Sequence, residues 1–261
     1  MNYQIQVKSS RVLFCTIFKW VSLPRPNRII LTVFPVLLFI FISGFLTGQT
    51  LIDVKGGINW LTFRNSSQTE GYSGSFASPP SYSMGIDIKG LKPRTKHLHL
   101  GLSLEYYLNN INWNAEYGGV QTSLGQNICY HLGTLRFSVY PELFFGNKLK
   151  FFFNLGPYLS LIVNSSKTGI SWDYSYPGQY TDNIESGSAK NDFKPADVGI
   201  RESLGIGYSL IPCLVLSVEE NGGIGFLNID NTIGSAGFIK TSNLGVFVSL
   251  TYIIHRKKPK E

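Results

Sequence analysis

Apolar and polar side chains alternate over several stretches of the chain. The clearest stretch is HLHLGLSLEYY at 97–107, where every second residue from Leu98 to Tyr106 is large and apolar. Successive side chains of a β-strand point to opposite faces, so the pattern predicts a strand with one apolar and one polar face. A soluble barrel would turn the leucines inward and a barrel in lipid would turn them outward, so the alternation alone leaves both open.

Seven further runs share this period of two and are bounded by turn residues. The eight predicted strands are residues 52–63, 82–89, 97–107, 135–145, 150–163, 197–210, 213–228 and 243–254. Their even number and regular spacing predict an all-β fold, an eight-stranded antiparallel up-and-down barrel.

The connections between these strands alternate between short and long. The short ones are 90–96, 146–148 and 211–212, and the long ones are 64–81, 108–134, 164–196 and 229–242. In an up-and-down barrel every second connection lies at the same end, so all short turns fall at one rim. Short turns at one end and long loops at the other are typical of outer-membrane barrels, which favours lipid as the environment of the leucine face.

Aromatic residues gather near both ends of the predicted strands, as in the belts of membrane proteins. The group beside the long loops is Trp60, Phe63, Tyr82, Tyr106, Tyr107 and Phe226, and the group beside the short turns is Phe144, Phe145, Phe151, Tyr208 and Tyr252.

The polar faces then line the barrel interior, and their charges are of mixed sign. They carry Asp53, Lys55, Asp87, Lys89, Glu105, Arg136, Glu142, Lys150 and Arg201. Because eight strands enclose a space that side chains can fill, we expect a plugged interior with paired charges. Glu202 and Glu220 fall on the lipid side by parity, so either a bulge shifts the register or they lie near an interface.

Residues 1–49 differ from the rest of the chain. A basic region at 1–28 precedes the apolar run 29–45, which predicts a signal peptide, with a retained transmembrane anchor as the alternative. Its removal leaves 18 basic and 16 acidic residues, so the net charge falls from +7 to +2 and no nucleic-acid partner is indicated. The predicted organisation is a signal segment at 1–49, a barrel at 50–254 and a basic tail at 255–261.

Two cysteines remain after the signal segment. Cys129 falls in the connection after the third strand, which we interpret as a hairpin extension at 120–131 beyond the membrane, whereas Cys213 begins the seventh strand at the opposite rim. A disulfide between them is therefore not expected.

Five glycine-rich motifs follow one another along the predicted barrel: DVKGGINWLTF at 53–63, LGLSLEYYL at 100–108, FFFNLGPYLSLIV at 151–163, DVGIRESLGIGY at 197–208 and LSVEENGGIGFLNI at 216–229. In this order they resemble the PorT-like outer-membrane β-barrel family. The resemblance implies an exported eight-stranded barrel in a bacterial outer membrane, and some members are implicated in a secretion system. The chain departs from such barrels at its end, where the basic tail replaces a terminal aromatic residue.

Candidate chemistry is sparse. His97 and His99 share the polar face, and a turn that pairs Lys89 with His97 would bring Asp87 opposite His99. These three side chains are a candidate metal site. The simpler alternative is a hydrogen-bonded pair of interior residues. A hydrolase would use His131 with Glu116 and nearby serines, although nothing in the sequence orders them into a catalytic set.

The longest connection, 164–196, contains ISWDYSYPGQY, a composition suited to contact with a protein or a glycan. The sequence therefore predicts a non-enzymatic outer-membrane barrel without a cofactor, with a structural or surface-binding role and a possible place in a secretion or envelope assembly. The alternatives are a barrel hydrolase, a soluble ligand-carrying barrel and a small pore.

Overall fold

The computed structural model describes residues 50–65, 72–91, 97–118, 122–175, 179–229 and 239–254, and these residues form ten β-strands. The strands are β1 (Thr50–Asn65), β2 (Tyr72–Ala77), β3 (Ser81–Leu91), β4 (Leu98–Gly118), β5 (Thr122–Phe145), β6 (Leu149–Ser175), β7 (Gln179–Ser188), β8 (Ala196–Ile211), β9 (Leu214–Gly225) and β10 (Ile239–Ile254). In this part of the chain no helix has the length and hydropathy to cross a membrane.

Eight of the strands close into an antiparallel barrel in the order β1, β3, β4, β5, β6, β8, β9, β10. The ring closes where β10 pairs with β1, from Thr50 opposite Ile254 to Asn65 opposite Ile239. The predicted eight-stranded up-and-down fold is confirmed. Two strands were not predicted: β2 pairs with β4 and β7 pairs with β6, both within long connections.

The connections have the predicted distribution between the two ends of the barrel. The inner ends of β3 and β4, of β5 and β6, and of β8 and β9 follow one another closely in sequence at one end of the barrel, called here the inner rim. The tight turn between β5 and β6 uses Gly146 at a φ of 97°, a conformation that favours glycine. The long connections lie at the other end, called the outer rim.

Three strands continue well past the outer rim. β4 and β5 pair without a break from Leu98 opposite Leu143 to Gly118 opposite Ser123, and β6 accompanies β5 to Ser175. A register shift at Gly133 and Thr134 marks where the β5–β6 pair leaves the barrel. Of the hairpin extension predicted at 120–131, the described residues 122–131 form part of β5 and pair with β4. Beyond the rim, β2, β4, β5, β6 and β7 form what we call the outer sheet.

The barrel is apolar outside and polar inside. On β4, Leu98, Leu100 and Leu104 are exposed, whereas His99, Ser103 and Glu105 are buried. β10 repeats this alternation from Asn243 to Ile254. A soluble barrel would have the reverse arrangement, so the leucine face is the face that meets the barrel's surroundings.

The predicted aromatic belts are only partly present. Tyr82 and Phe226 are exposed towards the outer rim, and Phe145, Phe151, Tyr208 and Tyr252 are exposed towards the inner rim. Phe63 and Tyr107 are instead buried, because their positions in β1 and β4 share the parity of the polar residues. Phe144 also turns inward, where its ring stacks on His99.

Glu202 and Glu220 lie on the outside of the barrel. The strand alternation continues through both residues, and the register shift of the β8–β9 pair lies away from them at Ser209 and Ile211. The proposed bulge is therefore wrong as an explanation for their position. Glu220 stands opposite Val246, midway along β10 between its outer and inner ends. Its carboxylate is thus near the centre of the apolar band.

Replacing this carboxylate should stabilise the barrel. For Glu220→Leu in phospholipid vesicles we expect the free energy of unfolding to rise by about 1–2 kcal/mol, because an acidic side chain on a lipid face costs somewhat less than a basic one. Urea titration followed by the electrophoretic mobility of unheated samples measures the change. Glu116→Leu on the outer sheet is the matched control and should shift the midpoint little. An unchanged or lower midpoint for Glu220→Leu would contradict placement of this residue in lipid.

Candidate functional site

The interior near the inner rim is closed by one buried ion-pair group. Lys89 Nζ lies 2.7 Å from Glu142 Oε2 and 3.6 Å from Asp53 Oδ2. The other oxygen of Glu142 lies 3.2 Å from His99 Nδ1, and the His99 ring stacks on Phe144 with centroids 4.0 Å apart. These side chains come from β1, β3, β4 and β5, so the group joins four strands across the interior.

A second group fills the middle of the barrel around Lys55 and Glu105. Lys55 Nζ lies 2.6 Å from Glu105 Oε1, 3.0 Å from Asp87 Oδ2 and 3.1 Å from Glu219 Oε1. Arg201 donates to the same Glu105 oxygen at 2.9 Å. All of these side chains are almost completely buried. Such charges are stable in a protein interior only when paired in this way.

A third group lies above it, centred on Arg136. The Arg136 guanidinium is sandwiched between the rings of Tyr107 and Tyr158, 4.5 and 4.3 Å from their centroids. It donates to Tyr107 Oη at 3.2 Å and to Asn243 Oδ1 at 2.9 Å. The Tyr107 hydroxyl in turn donates to Glu105 Oε2 at 2.6 Å, which links this group to the middle one.

An apolar cluster lies above the Arg136 group towards the outer rim. It includes Phe193 from the segment between β7 and β8, packed edge-on against Tyr130 and tilted against Phe63. Between the cluster and Arg136 is a cavity of about 30 Å³, enough for about two water molecules. Ionic groups below and an apolar cluster above therefore occupy most of the interior, as expected for eight strands.

The candidate metal ligands are not brought together. Asp87 stands opposite Ser103, which donates to it, and His99 stands opposite Leu91. His97 is exposed at the inner rim, with its ring against Phe145. Among the described residues, no group of three or more His, Cys, Asp or Glu side chains could hold a metal ion.

The predicted register of β3 against β4 was wrong, because the sizes of the side chains that face each other inside the barrel favour a different pairing. The predicted pairing of Lys89 with His97 would also have put Gly85 opposite Gly101. The observed pairing puts Gly85 opposite Glu105, and the ring of Tyr140 from β5 crosses Gly101. A narrow barrel fills its interior best when a long side chain lies across a glycine.

The candidate hydrolase residues are also separate. His131 stands opposite Asn110, and its Nδ1 lies 2.7 Å from Asn110 Oδ1. Glu116 lies six residues further along β4, which corresponds to roughly 20 Å of strand. The structure therefore does not join them into a base with its orienting group.

Sequence reasoning missed Glu219 and Asn243 as interior residues. Glu219 follows Ser217 on the inward parity of β9, so the alternation could have identified it despite the adjacent Glu220. Asn243 begins a predicted strand, and its contact with Arg136 spans 107 positions of sequence. No local pattern indicates such a contact.

The 164–196 connection supplies much of the outer sheet. Its part of β6 and the whole of β7 pair from Ser166 opposite Ser188 to Ser175 opposite Gln179. One face of the sheet covers the apolar cluster, with Ile111, Trp113 and Ile128 buried. The other face is free of the barrel and carries Asn114, Asn127, Ile170, Trp172 and Ile184 among others.

The two cysteines among the described residues are free and lie at opposite ends of the barrel with its outer sheet. Cys129 is in the outer sheet and Cys213 is in the turn between β8 and β9 at the inner rim, as predicted. Burial raises the pKa of the Cys129 thiol above its usual value.

Several solved structures match most of this chain at low sequence identity. Neisserial surface protein A is 13% identical, with 76% of this chain and 95% of that chain covered and a TM-score of 0.38. OprG from Pseudomonas aeruginosa is 10% identical, with coverage of 80% and 97% and a TM-score of 0.39. Ail of Yersinia pestis is 8% identical, with coverage of 78% and 99% and a TM-score of 0.35. No curated protein matches the sequence.

The family model described as outer membrane protein beta-barrel domain matches residues 47–230. This span includes nine of the ten strands, β1 to β9, and the whole interior network apart from the β10 residues. A closed barrel with an apolar exterior and a polar, ion-paired interior is the architecture that such a domain requires. The chain belongs to the outer membrane protein β-barrel domain family and is an outer-membrane β-barrel protein.

Proposed function

We propose that this protein is a non-enzymatic surface-binding barrel, in which the barrel anchors the outer sheet and the outer sheet binds a partner outside the cell. The observation that carries the proposal is the outer sheet itself. β4, β5 and β6 continue far past the rim, and one face of this extension is occupied neither by the barrel nor by the apolar cluster. Long outer loops of barrels commonly carry function.

The filled interior favours binding over transport. Lys55, Arg201 and Glu105 lie across the middle of the barrel, and moving them apart would leave buried charges unpaired. We therefore expect no steady conductance from purified protein in planar bilayers. A stable single-channel current would support the rival proposal of a small pore.

Export would depend on residues 1–49, which we propose to be a signal peptide and which lie outside the described residues, as does the tail 255–261. The resemblance to the PorT-like barrels extends the proposal to a part in a secretion or envelope assembly, with the outer sheet as the binding element. The separation of His131 from Glu116 argues against the hydrolase that the sequence offered as an alternative.

The orientation of the barrel in the outer membrane can be tested with the thiols of Cys129 and Cys213. A large maleimide-polyethylene glycol reagent added to intact cells should label Cys129 and leave Cys213 unlabelled until the outer membrane is opened. Because burial raises the pKa of Cys129, its labelling should accelerate as the pH rises above neutrality. Cys129→Ser and Cys213→Ser assign the bands. Labelling of Cys213 alone in intact cells would contradict the proposed orientation.

Binding can be tested by adhesion. Cells carrying the wild type should adhere to at least one of three surfaces, coated with dextran, dextran sulfate or gelatin, more strongly than cells carrying a variant in which residues 112–128 are replaced by a short turn. Equal barrel amounts, checked by the heat-dependent shift in gel mobility, control for expression. Adhesion that is the same for the two proteins on all three surfaces would overturn the proposed function.

A further inference from the structure

The free face of the outer sheet contains an aromatic side chain in an unusual position. Trp172 of β6 stands opposite Gly125 of β5, and its indole lies directly on that glycine. A Cβ added at Gly125 would overlap the ring atoms of Trp172, so only glycine leaves room for the indole. One face of the ring is thus held against the backbone of β5.

The Trp172 side chain is only partly buried, although its ring rests on the sheet. A flat aromatic ring with one face supported by a sheet offers its other face for stacking. The π-electron face of an aromatic ring is negative, and it attracts the weakly positive C–H groups on the apolar face of a pyranose ring. The position of Trp172 therefore suits a sugar ring.

Polar side chains surround this ring on the same face. Asp182 of β7 stands opposite Trp172, and Glu116 of β4 stands opposite Gly125 on its other side. Asn127 and Asn114 face each other one step nearer the barrel. All four side chains are exposed. Amides offer both donors and acceptors, and carboxylates offer acceptors, so together they match the hydroxyl groups of a sugar.

The charge of this face limits the class of sugar. Its charged groups beside Trp172 are the carboxylates of Glu116 and Asp182, whereas Lys167 lies on the opposite face, where it pairs with Glu185 and Asp192. Carboxylates repel sulfate, phosphate and sialic acid groups, which arginine and lysine would attract.

We propose that the Trp172 face of the outer sheet is a binding site for uncharged pyranose glycans. The indole stacks on a sugar ring, and Asn114, Asn127, Glu116 and Asp182 hydrogen-bond its hydroxyl groups. This inference rests on the proposed surface-binding function and names its ligand class.

An apolar partner protein is the competing occupant, and one residue distinguishes it. Ile184 of β7 stands opposite Ile170 on the same face, and 85% of its surface is exposed. A protein interface would bury this side chain, whereas a sugar on Trp172 would bind through the ring and the amides. Ile184→Ser should therefore weaken protein binding and leave glycan binding unchanged.

The test uses the full-length barrel in lipid nanodiscs on an array of neutral, sialylated and sulfated oligosaccharides. We expect binding to neutral glycans. Trp172→Ala should weaken it by about tenfold, which corresponds to about 1.4 kcal/mol of binding free energy. Gly125→Ala displaces the indole without removing it and should weaken binding in the same direction. The heat-dependent gel shift checks that each variant is folded.

Each outcome bears on the inference. Neutral-glycan binding that is lost in Trp172→Ala and kept in Ile184→Ser supports it. Binding confined to sulfated or sialylated glycans overturns it, and so does neutral binding that survives Trp172→Ala. Absence of glycan binding also overturns it. Where adhesion to gelatin still requires residues 112–128, the proposed surface-binding function remains intact.

Discussion

Glu105→Gln should lower the free energy of unfolding by about 3–5 kcal/mol, the usual cost of removing one charge from a buried ion pair. Glu105 accepts from Lys55 at 2.6 Å and from Arg201 at 2.9 Å through one oxygen, and from Tyr107 at 2.6 Å through the other. The substitution keeps the size of the side chain but leaves two buried cations short of a partner. Urea unfolding in phospholipid vesicles, followed by gel mobility, measures the loss.

The matched control is Glu116→Gln, the same substitution on the same strand at an exposed site of the outer sheet. It should change the free energy of unfolding by no more than about 0.5 kcal/mol. If Glu105→Gln were as mild as this control, the interior network would not be a main source of barrel stability. A water-filled lumen would then be the better description.

Val248→Arg should destabilise the protein in bilayers by about 2–4 kcal/mol, the cost of a basic side chain on the lipid face near the membrane centre. Val248 is 53% exposed and stands in the middle of β10, between Gly56 of β1 and Val218 of β9. In a soluble protein an exposed valine tolerates this change. The same urea titration in vesicles measures the effect.

Ile184→Arg provides the control for Val248→Arg. Ile184 is even more exposed, but it lies on the outer sheet, where water surrounds it. We expect its substitution to alter the free energy of unfolding by less than about 0.5 kcal/mol. Equal effects of the two arginines would show that β10 and the outer sheet share the same solvent.

The parity of each strand could be read from the sequence because it depends only on neighbouring residues. Leu100 and Ser103 fall on opposite faces in any register, and the structure confirms their exposed and buried positions. The register of β3 against β4 could not be read in this way. It depends on which glycine lies across from which long side chain, a match between residues on different strands.

For the site on the outer sheet, the sequence indicated only a loop whose composition suits binding. ISWDYSYPGQY indicated a binding loop, but the partner of Trp172 is Gly125, which lies 47 positions earlier in the chain. β2 and β7 were missed for a related reason. Their sequences, YSGSFA and QYTDNIESGS, lack an apolar alternation, and in the outer sheet β2 pairs with β4 and β7 pairs with β6.

The central claim is that hydrocarbon surrounds the leucine face and that the polar face is enclosed. Spin labels placed one at a time at residues 244–252 of β10, in bilayers and without the native cysteines, test it most directly. We predict that collisions with oxygen, which dissolves in lipid, rise at the even positions Leu244, Val246, Val248, Leu250 and Tyr252 and fall at the odd positions between them. If the labels at the even positions collided instead with a water-soluble nickel chelate along the whole strand, the result would contradict the account.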